Sequence, residues 1–482
     1  MGDYKAEFID FLLKTGALRV GGDFSLKSKR ESSWFVNVGN FNNGETSAAL
    51  ANYYADAIIS SEVPIDLLYG IPEKGVGLAV SVAIAMANKG KNVAWCFSRK
   101  DEKTHGEASN LGPEDRAKKL FVGRVPARED AIGQLDDVFT AGDAKYEANV
   151  FLKSFGFSNF PLLTIAVDRQ EVAIDGNNAI EEYESKTGTK VISVITALDV
   201  LQYLRAAVPI ETSNGTITAN SLERMVNYLR VYGTDLARKS IRECENELEQ
   251  IVINLDRSVI PACDVQTLEQ FEDLVKKTAD IGKIGAYKLG FELGLTYGLP
   301  KVVEVARKHT TKPLIYDHQK AGTDIPDTGK NFARVIKNTG IDAVILFPQS
   351  GPETERAWIY HALNSGLKII VGGRMTHPAY SVSEGGFITD EGALEMYRIA
   401  AQIGVNDFVV PGNKPDLIKQ IRELVEAEGS TPVFYAPGFI AQGGKIEEAA
   451  KAAGDRFHGI VGRGIYQAKD MRQAAIEHTS QI

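Results

Sequence analysis

Cysteine is scarce: the 482 residues contain three, Cys96, Cys244 and Cys263, far apart and without paired spacing. That excludes a disulfide framework and gives no zinc-site spacing, and it fits a reducing cytosol. Long apolar runs are missing as well. No stretch approaches the roughly 18 uninterrupted apolar residues of a membrane span. The N-terminal MGDYKAEFIDFLLKTG sets acids among its apolar residues, so it predicts an amphipathic helix with Phe8, Phe11, Leu12 and Leu13 inward and excludes a signal peptide. There is no basic run, and 54 Lys and Arg face 63 Asp and Glu for a formal net charge of -9. A general nucleic-acid role is thereby excluded, and anionic ligands must be met by local sites. What remains, 44% hydrophobic and 24% charged, is ordinary globular composition with material for two or three domains.

Over residues 1–205 helical patterns alternate with short apolar strands. Leu67 to Ile71 predicts a strand followed by a glycine-bearing turn and a small-residue helix from Gly75 to Asn88. Val93 to Ser98 predicts another, running into RKDEKTHGEASN, a polar stretch without periodicity that predicts a loop. Arg99, Lys100, Lys103 and His105 on that loop could close over a phosphorylated ligand. In AIGQLDDVFTAGDAK a strand delivers Asp136 and Asp137, then a Thr140, Ala141, Gly142 turn, then a helix beginning near Asp143. Backbone N–H groups of such a turn can cradle a phosphate, and the acids just before it can hold the two hydroxyls of a ribose.

DDVFTAGDA resembles the phosphoribosyl-pyrophosphate motif of type I phosphoribosyltransferases. With FSLKS at Phe24 to Ser28, YGIPEKG at Tyr69 to Gly75, RKDEKTHGE at Arg99 to Glu107 and VDRQE at Val167 to Glu171, the first 205 residues resemble the orotate phosphoribosyltransferases. The resemblance implies a parallel sheet with flanking helices. It implies that Lys27, Lys74, Arg99, Lys100, Lys103 and His105 grip pyrophosphate and orotate, the loop bearing Lys103 and His105 reaching into a partner subunit's site. Asp136 and Asp137 would hold the ribose, Thr140, Ala141, Gly142, Asp143 and Ala144 the 5'-phosphate, and Arg169 the orotate side, with Mg2+ bridging the pyrophosphate. Asp143 departs from the small or hydroxyl residue usual after the turn's glycine. Turned inward it would repel the phosphate; turned outward it caps the helix, worth about 1 kcal/mol, and the outward position is the expectation.

Residues 206–257 combine the polar AAVPIETSNGTITAN with a charged helical pattern from Ser221 to Ile251, predicting a helical linker that packs on one or both domains. From Ser258 the pattern becomes strand then helix, eight times. The predicted strands are Val259 to Cys263, Ala286 to Gly290, Pro313 to Asp317, Ala343 to Phe347, Lys368 to Gly372, Asp407 to Val410, Val433 to Ala436 and Gly459 to Gly462. Eight units over residues 258–482 make a (β/α)8 TIM barrel, whose functional residues follow the strands. Those positions hold Asp264, Lys288, the group Asp317, Lys320 and Asp324, then Thr376 and His377, Gln442 with Gly443 and Gly444, and Gly462 with Arg463. The last clusters follow strands seven and eight, where barrels bind phosphate.

This half resembles the orotidine 5'-monophosphate decarboxylases. The resemblance implies Lys288, Asp317, Lys320 and Asp324 as the charged network, the second aspartate lent by a neighbouring subunit. Asp264 would bind ribose, RMTHP at Arg374 to Pro378 the pyrimidine, and APGFIAQGG with VGRGIY the phosphate, with no cofactor. The common D-x-K-x-x-D spacing is one residue longer on each side here, D-H-Q-K-A-G-T-D. Along a strand that would turn Lys320 to the other face unless the backbone bends after Asp317, and His318 becomes an extra candidate.

The two halves together resemble the bifunctional uridine 5'-monophosphate synthases, an α/β chain joining phosphoribosyl to orotate and then removing the carboxylate. The substrates implied are orotate, phosphoribosyl pyrophosphate and orotidine monophosphate, in a homodimer or higher homo-oligomer with no nucleic acid and no membrane. Two other functions share these patterns: a barrel acting as a Mg2+-dependent sugar-phosphate decarboxylase or aldolase, and a first domain that binds phosphoribosyl pyrophosphate as a non-catalytic regulator.

Overall fold

The computed structural model describes residues 3–26, 28–99, 113–139, 142–244, 251–318, 324–439 and 443–482. The chain forms two compact units, Met1–Ser240 and Ile241–Ile482. Among the described residues no helix is long and apolar enough to cross a membrane.

The first unit begins with the amphipathic helix Asp3–Lys14, which buries Phe8, Ile9, Leu12 and Leu13. An antiparallel ribbon follows, β1 (Leu18–Ser25) and β2 (Glu31–Val36). The central sheet comprises β3 (Leu67–Gly70), β4 (Ala94–Ser98), β5 (Phe121–Gly123), β6 (Ile132–Leu135), β7 (Leu162–Asp168) and β8 (Lys190–Thr196). Their spatial order is β5-β4-β3-β6-β7-β8, parallel except for the β4–β5 pair. The short apolar strands are buried on both faces, as parallel strands covered by helices must be. The order reverses between β3 and β6, and the crevice at the carboxyl ends of such a pair is where open α/β sheets bind ligands. Gly70 and Gly75 fit this place: a Cβ on Gly70 would come within 2.2 Å of the Gly75 carbonyl, and one on Gly75 within 2.2 Å of the Leu135 carbonyl.

A hairpin, β9 (Ile210–Thr212) and β10 (Gly215–Ile217), precedes helices Ala219–Tyr232 and Asp235–Cys244. The pattern from Ser221 to Ile251 predicts one long helix; within the described residues there are two. Helix Ala219–Tyr232 ends at Gly233, whose N–H donates to the Leu229 carbonyl, and the Thr234 N–H then donates to the Gln170 carbonyl. Tertiary hydrogen bonds take over where glycine stops the helix.

The second unit is a closed parallel barrel of β11 (Arg257–Cys263), β12 (Tyr287–Leu289), β13 (Leu314–Asp317), β14 (Ala343–Leu346), β15 (Lys368–Gly372), β16 (Asp407–Val409), β17 (Val433–Ala436) and β18 (Phe457–Val461). β11 pairs with β18 to close it. Ile260, Ala286, Ile315, Ile345, Ile370, Val409, Tyr435 and Ile460 fill its interior, and Val252 and Ile253 from the entering chain join that core. The carbonyls of Ile251 and Ile253 accept from Lys368 and Arg456.

Two titratable groups are buried toward the amino end of the barrel strands. Burial pushes the Asp407 carboxyl up to about 7, opposed by the Tyr435 hydroxyl that donates to it at 2.6 Å and by Arg456 and Lys368. Burial, with Arg456, pushes His458 down to about 3. Their linkage signs oppose. A raised carboxyl pKa gives stability that is complete below the unfolded value of 3.8 and is lost as pH rises toward 7; a lowered imidazole pKa gives stability that is lost as pH falls from 6.5 toward 3. The two slopes, each at most about 1.4 kcal/mol per pH unit, cancel over the shared window. In Asp407→Asn only the His458 slope survives, so urea unfolding of the second unit should show stability rising with pH between about 4 and 6.5 relative to wild type. Parallel pH profiles would contradict this pairing.

Candidate functional sites

In the first unit β6 ends in Asp136 and Asp137, beside the turn that follows β3. Because β3 and β6 are neighbours with Gly70 opposite Leu135, Lys74 meets Asp137, Nζ to carboxylate 2.5 Å. Lys74 is 62% exposed and Asp137 is buried. Asp136 is buried too, and its Oδ2 lies 2.5 Å from Lys145 Nζ, itself buried. Burial is the largest influence on Asp136 and leaves its pKa raised, with Lys145 acting against it. The Asp137 N–H donates to Asp136 Oδ1 and the Val138 N–H to Asp137 Oδ1, both at 2.8 Å, so the backbone fixes both rotamers.

Helix Asp143–Ser154 starts at Gly142, the N-cap, whose φ of +83° favours glycine. Asp143, the first residue of the helix, is exposed, in keeping with an outward position; Ala144 is half-buried. Arg99, exposed, follows β4 and gives its N–H to the Leu120 carbonyl. Arg169 follows β7. Its guanidinium stacks 4.1 Å over the Trp34 ring, pairs with Glu171 at 2.6 Å and donates to Ser32 Oγ at 3.0 Å. Burial opposes its charge, and Glu171 and Tyr228 outweigh burial, leaving its pKa raised.

Lys74, Asp136, Asp137, Gly142, Asp143 and Ala144 thus gather around the switch point, with Arg99 and Arg169 on the flanking strands. Lys27, Lys100, Lys103, His105, Thr140 and Ala141 lie outside the described residues, as do Lys320 and Gln442 in the second unit. Lys145 and the Trp34, Glu171 and Tyr228 surround of Arg169 are absent from the sequence expectations. A lysine in a helix's first turn opposes the helix dipole, but the sequence does not show that Lys145 is buried or which acid meets it.

In the barrel, Lys288 on β12 and Asp317 at the end of β13 form a buried pair at 2.6 Å, with Asp264 after β11 3.5 Å from the same ammonium. Burial works against charge on Lys288; Asp317 and Asp264 overcome it and leave the pKa raised. β13 stops at Asp317, and the His318 N–H turns back to the Tyr316 carbonyl. The strand path is thus left at His318, the last residue described before Lys320. His318 packs among Tyr316, Phe332 and Trp358, its ring 4.3 Å from that of Phe332. Asp324 is exposed.

At the carboxyl ends of β11, β17 and β18 a cavity of about 170 Å³ is lined by Asp264, Gly438, Phe439, Gly462, Arg463 and Tyr466. Exposed Arg463 and the glycine backbone make it suited to an anion. Gly443 (φ +79°) and Gly444 lie on the loop after β17. Thr376 and His377 stand apart from this cavity, on the loop after β15. The Thr376 carbonyl accepts from Asn413, and exposed His377 meets Tyr380 edge-on at 5.8 Å.

Among the described residues no group of three or more His, Cys, Asp or Glu is placed to hold a metal. Asp136 and Asp137 are each paired with a lysine. Among the described residues the first site therefore offers a divalent cation no cage of unpaired carboxylates.

The family model described as orotidine 5'-phosphate decarboxylase / HUMPS matches residues 257–477. The chain is 39% identical over 206 residues to an orotate phosphoribosyltransferase of Enterobacter sp. (strain 638), covering 42% of this chain and 90% of that protein. To an orotate phosphoribosyltransferase of Pseudomonas fluorescens it is 38% identical over 205 residues, again 90% of that protein. Among solved structures it is similar to the orotate phosphoribosyltransferase of Francisella tularensis (29% identity, 47% of this chain and all of that one, TM-score 0.40). It is similar also to an orotidine 5'-monophosphate decarboxylase of Methanocaldococcus jannaschii complexed with an inhibitor (26%, 47% of this chain and 98% of that one, TM-score 0.42).

The buried pair in the barrel makes a direct stability prediction. Lys288→Met takes the cation from a buried carboxylate and should destabilise the second unit by about 3–5 kcal/mol in urea unfolding, and Lys288→Met/Asp317→Leu should regain most of it. A double variant no more stable than the single one would contradict the pairing.

Proposed function

The chain belongs to the orotate phosphoribosyltransferase family over its first half and matches the orotidine 5'-phosphate decarboxylase / HUMPS family model over residues 257–477, and on that premise we propose that its two sites perform consecutive steps of pyrimidine biosynthesis, orotate to orotidine monophosphate to uridine monophosphate. The observation that carries this is the pairing in one chain of two carboxyl-edge sites, each with buried acids held by lysine.

In the first step orotate displaces pyrophosphate from the ribose carbon. Asp136 and Asp137 hold the ribose hydroxyls and Thr140 to Ala144 the 5'-phosphate. Lys27, Lys74, Arg99, Lys100, Lys103 and His105 surround pyrophosphate and orotate, and Arg169 stands on the orotate side. Mg2+ carried in with phosphoribosyl pyrophosphate supplies neutralisation of the leaving group's charge. Lys74 can move from Asp137 to the pyrophosphate, because its side chain is exposed where its partner's is not.

In the second step Lys320 stabilises the carbanion at C6 and protonates it, with Lys288, Asp317 and Asp324 completing the charged network. Asp264 takes the ribose, Thr376 and His377 the pyrimidine, and Gln442, Gly443, Gly462 and Arg463 the phosphate, whose binding remote from C6 contributes to closing the site. No cofactor takes part. The family resemblance has Lys103 and His105 of the first site and Asp324 of the second reach a partner subunit, which supports at least a dimer, and the scarcity of cysteine supports a reducing cytosol.

Lys320→Ala should lower decarboxylation by at least about a hundredfold and leave transfer intact, and Asp137→Asn should do the reverse. Loss of both activities in either folded variant would count against separate sites. Decay of orotidine monophosphate absorbance should persist in excess EDTA; arrest by EDTA with rescue by Mg2+ would favour the sugar-phosphate chemistry of related barrels.

A further inference from the structure

We propose that Lys145 is a positioning residue for phosphoribosyl transfer: buried in the first turn of the helix that follows the phosphate loop, it holds Asp136 as a fixed, charged acceptor for the ribose. This rests on the assignment of transfer to the first site and adds to it a residue outside the motif.

Lys145 is the third residue of helix Asp143–Ser154. A cation there works against the helix dipole, and burial works against any ammonium, so the position is tolerable only with a strong local partner. It has two. Its Nζ lies 2.5 Å from Asp136 Oδ2 and donates to the Val138 carbonyl at 2.7 Å, with the Phe139 ring centroid 5.6 Å away. Both side chains of the pair are less than a tenth exposed. The helix bearing Lys145 is itself tied to β6, since Gln134 donates to Asn149 at 2.6 Å and Asn149 to the Tyr183 hydroxyl at 2.8 Å, all buried.

Asp136 is held on its other sides by the Asp137 N–H at Oδ1 and by the Tyr54 hydroxyl, which donates to its carbonyl at 2.8 Å. The titratable and charged groups facing it are therefore Lys145 from the following helix, Asp137 beside it and Tyr54 from helix Gly44–Ser60. Among the described groups acting on Asp136, Lys145 is the one whose charge favours the ionised carboxylate. Without it, burial and Asp137 would both drive Asp136 to its neutral form, which offers a proton where a ribose hydroxyl needs a lone pair. The two lysines at the acid pair are therefore unlike. Lys74 is exposed and can change partners when pyrophosphate arrives, whereas Lys145 is buried with its acid and stays.

The test is steady-state transfer from phosphoribosyl pyrophosphate to orotate by the full chain, followed across about pH 5 to 9. Lys145→Met should raise KM for phosphoribosyl pyrophosphate by at least about tenfold while KM for orotate stays within about threefold. It should also move the acid limb of kcat/KM up by at least about one pH unit. In Lys145→Met/Asp136→Asn, where the amide cannot titrate, that limb should be absent. A folded Lys145→Met with an unmoved limb, or with both KM values raised alike, overturns the role of Lys145 alone. Should Lys145→Met fail to fold, the double variant decides, because removing both charges of a buried pair is far better tolerated than removing one. Folded with a raised KM for phosphoribosyl pyrophosphate and no acid limb, it supports the role; folded with wild-type KM and limb, it overturns it. Absence of transfer by the wild-type chain would overturn the assignment of the site itself.

Discussion

A carboxylate carried into the interior at the end of a β-strand must be given a cation or lose its charge, because burial alone favours the neutral acid. Both units meet this constraint with lysine. In the first, Asp136 is paired with Lys145 and Asp137 with Lys74; in the second, Asp317 is paired with Lys288, which also feels Asp264. Since these ion pairs sit where strands end, the sheet topology decides which lysine meets which acid.

The two folds reach that arrangement by different routes. The open sheet reverses its strand order between β3 and β6, and the two ends there bring Lys74 to Asp137. The barrel has no such reversal. Closure sets β12 beside β11 and β13, with Lys288 in register with Ala262 and Ile315, so its long side chain reaches acids on both sides. Exposure then divides the lysines by task. Lys145 and Lys288 are buried with their acids and hold charge in place, whereas Lys74 is exposed, which under the proposed function leaves it able to follow a phosphate.

The sequence disclosed most where local pattern and tertiary role coincide. The eight barrel strands and the helix Gly75–Asn88 follow from apolar runs bounded by turn residues, since buried parallel strands must be apolar throughout. The ribbon β1–β2, with Gly21 and Gly22 and three consecutive polar residues at Glu31 to Ser33, shows no clean alternation and is fixed by packing that local pattern does not express. The predicted long helix from Ser221 fails at Gly233, where hydrogen bonds to the turn after β7 take over, although the Gly233, Thr234, Asp235 run carried a stop and a start. At the sites, acids at strand ends were legible because strand ends are where chemistry is placed. Lys145 was not, because its function depends on a neighbour nine residues back that only the folded turn brings to it. The longer D-H-Q-K-A-G-T-D spacing conflicts with strand alternation only if β13 runs on to Lys320; the strand ends at Asp317, and residues 319–323 lie outside the described ones.

The central claim, that one chain carries both steps, is tested most directly by supplying the purified protein with orotate labelled in its carboxylate, phosphoribosyl pyrophosphate and Mg2+, and measuring labelled carbon dioxide beside uridine monophosphate. The two should appear together, in equal amounts, from this protein alone. Labelled orotidine monophosphate accumulating without carbon dioxide, or no consumption of orotate at all, would contradict it.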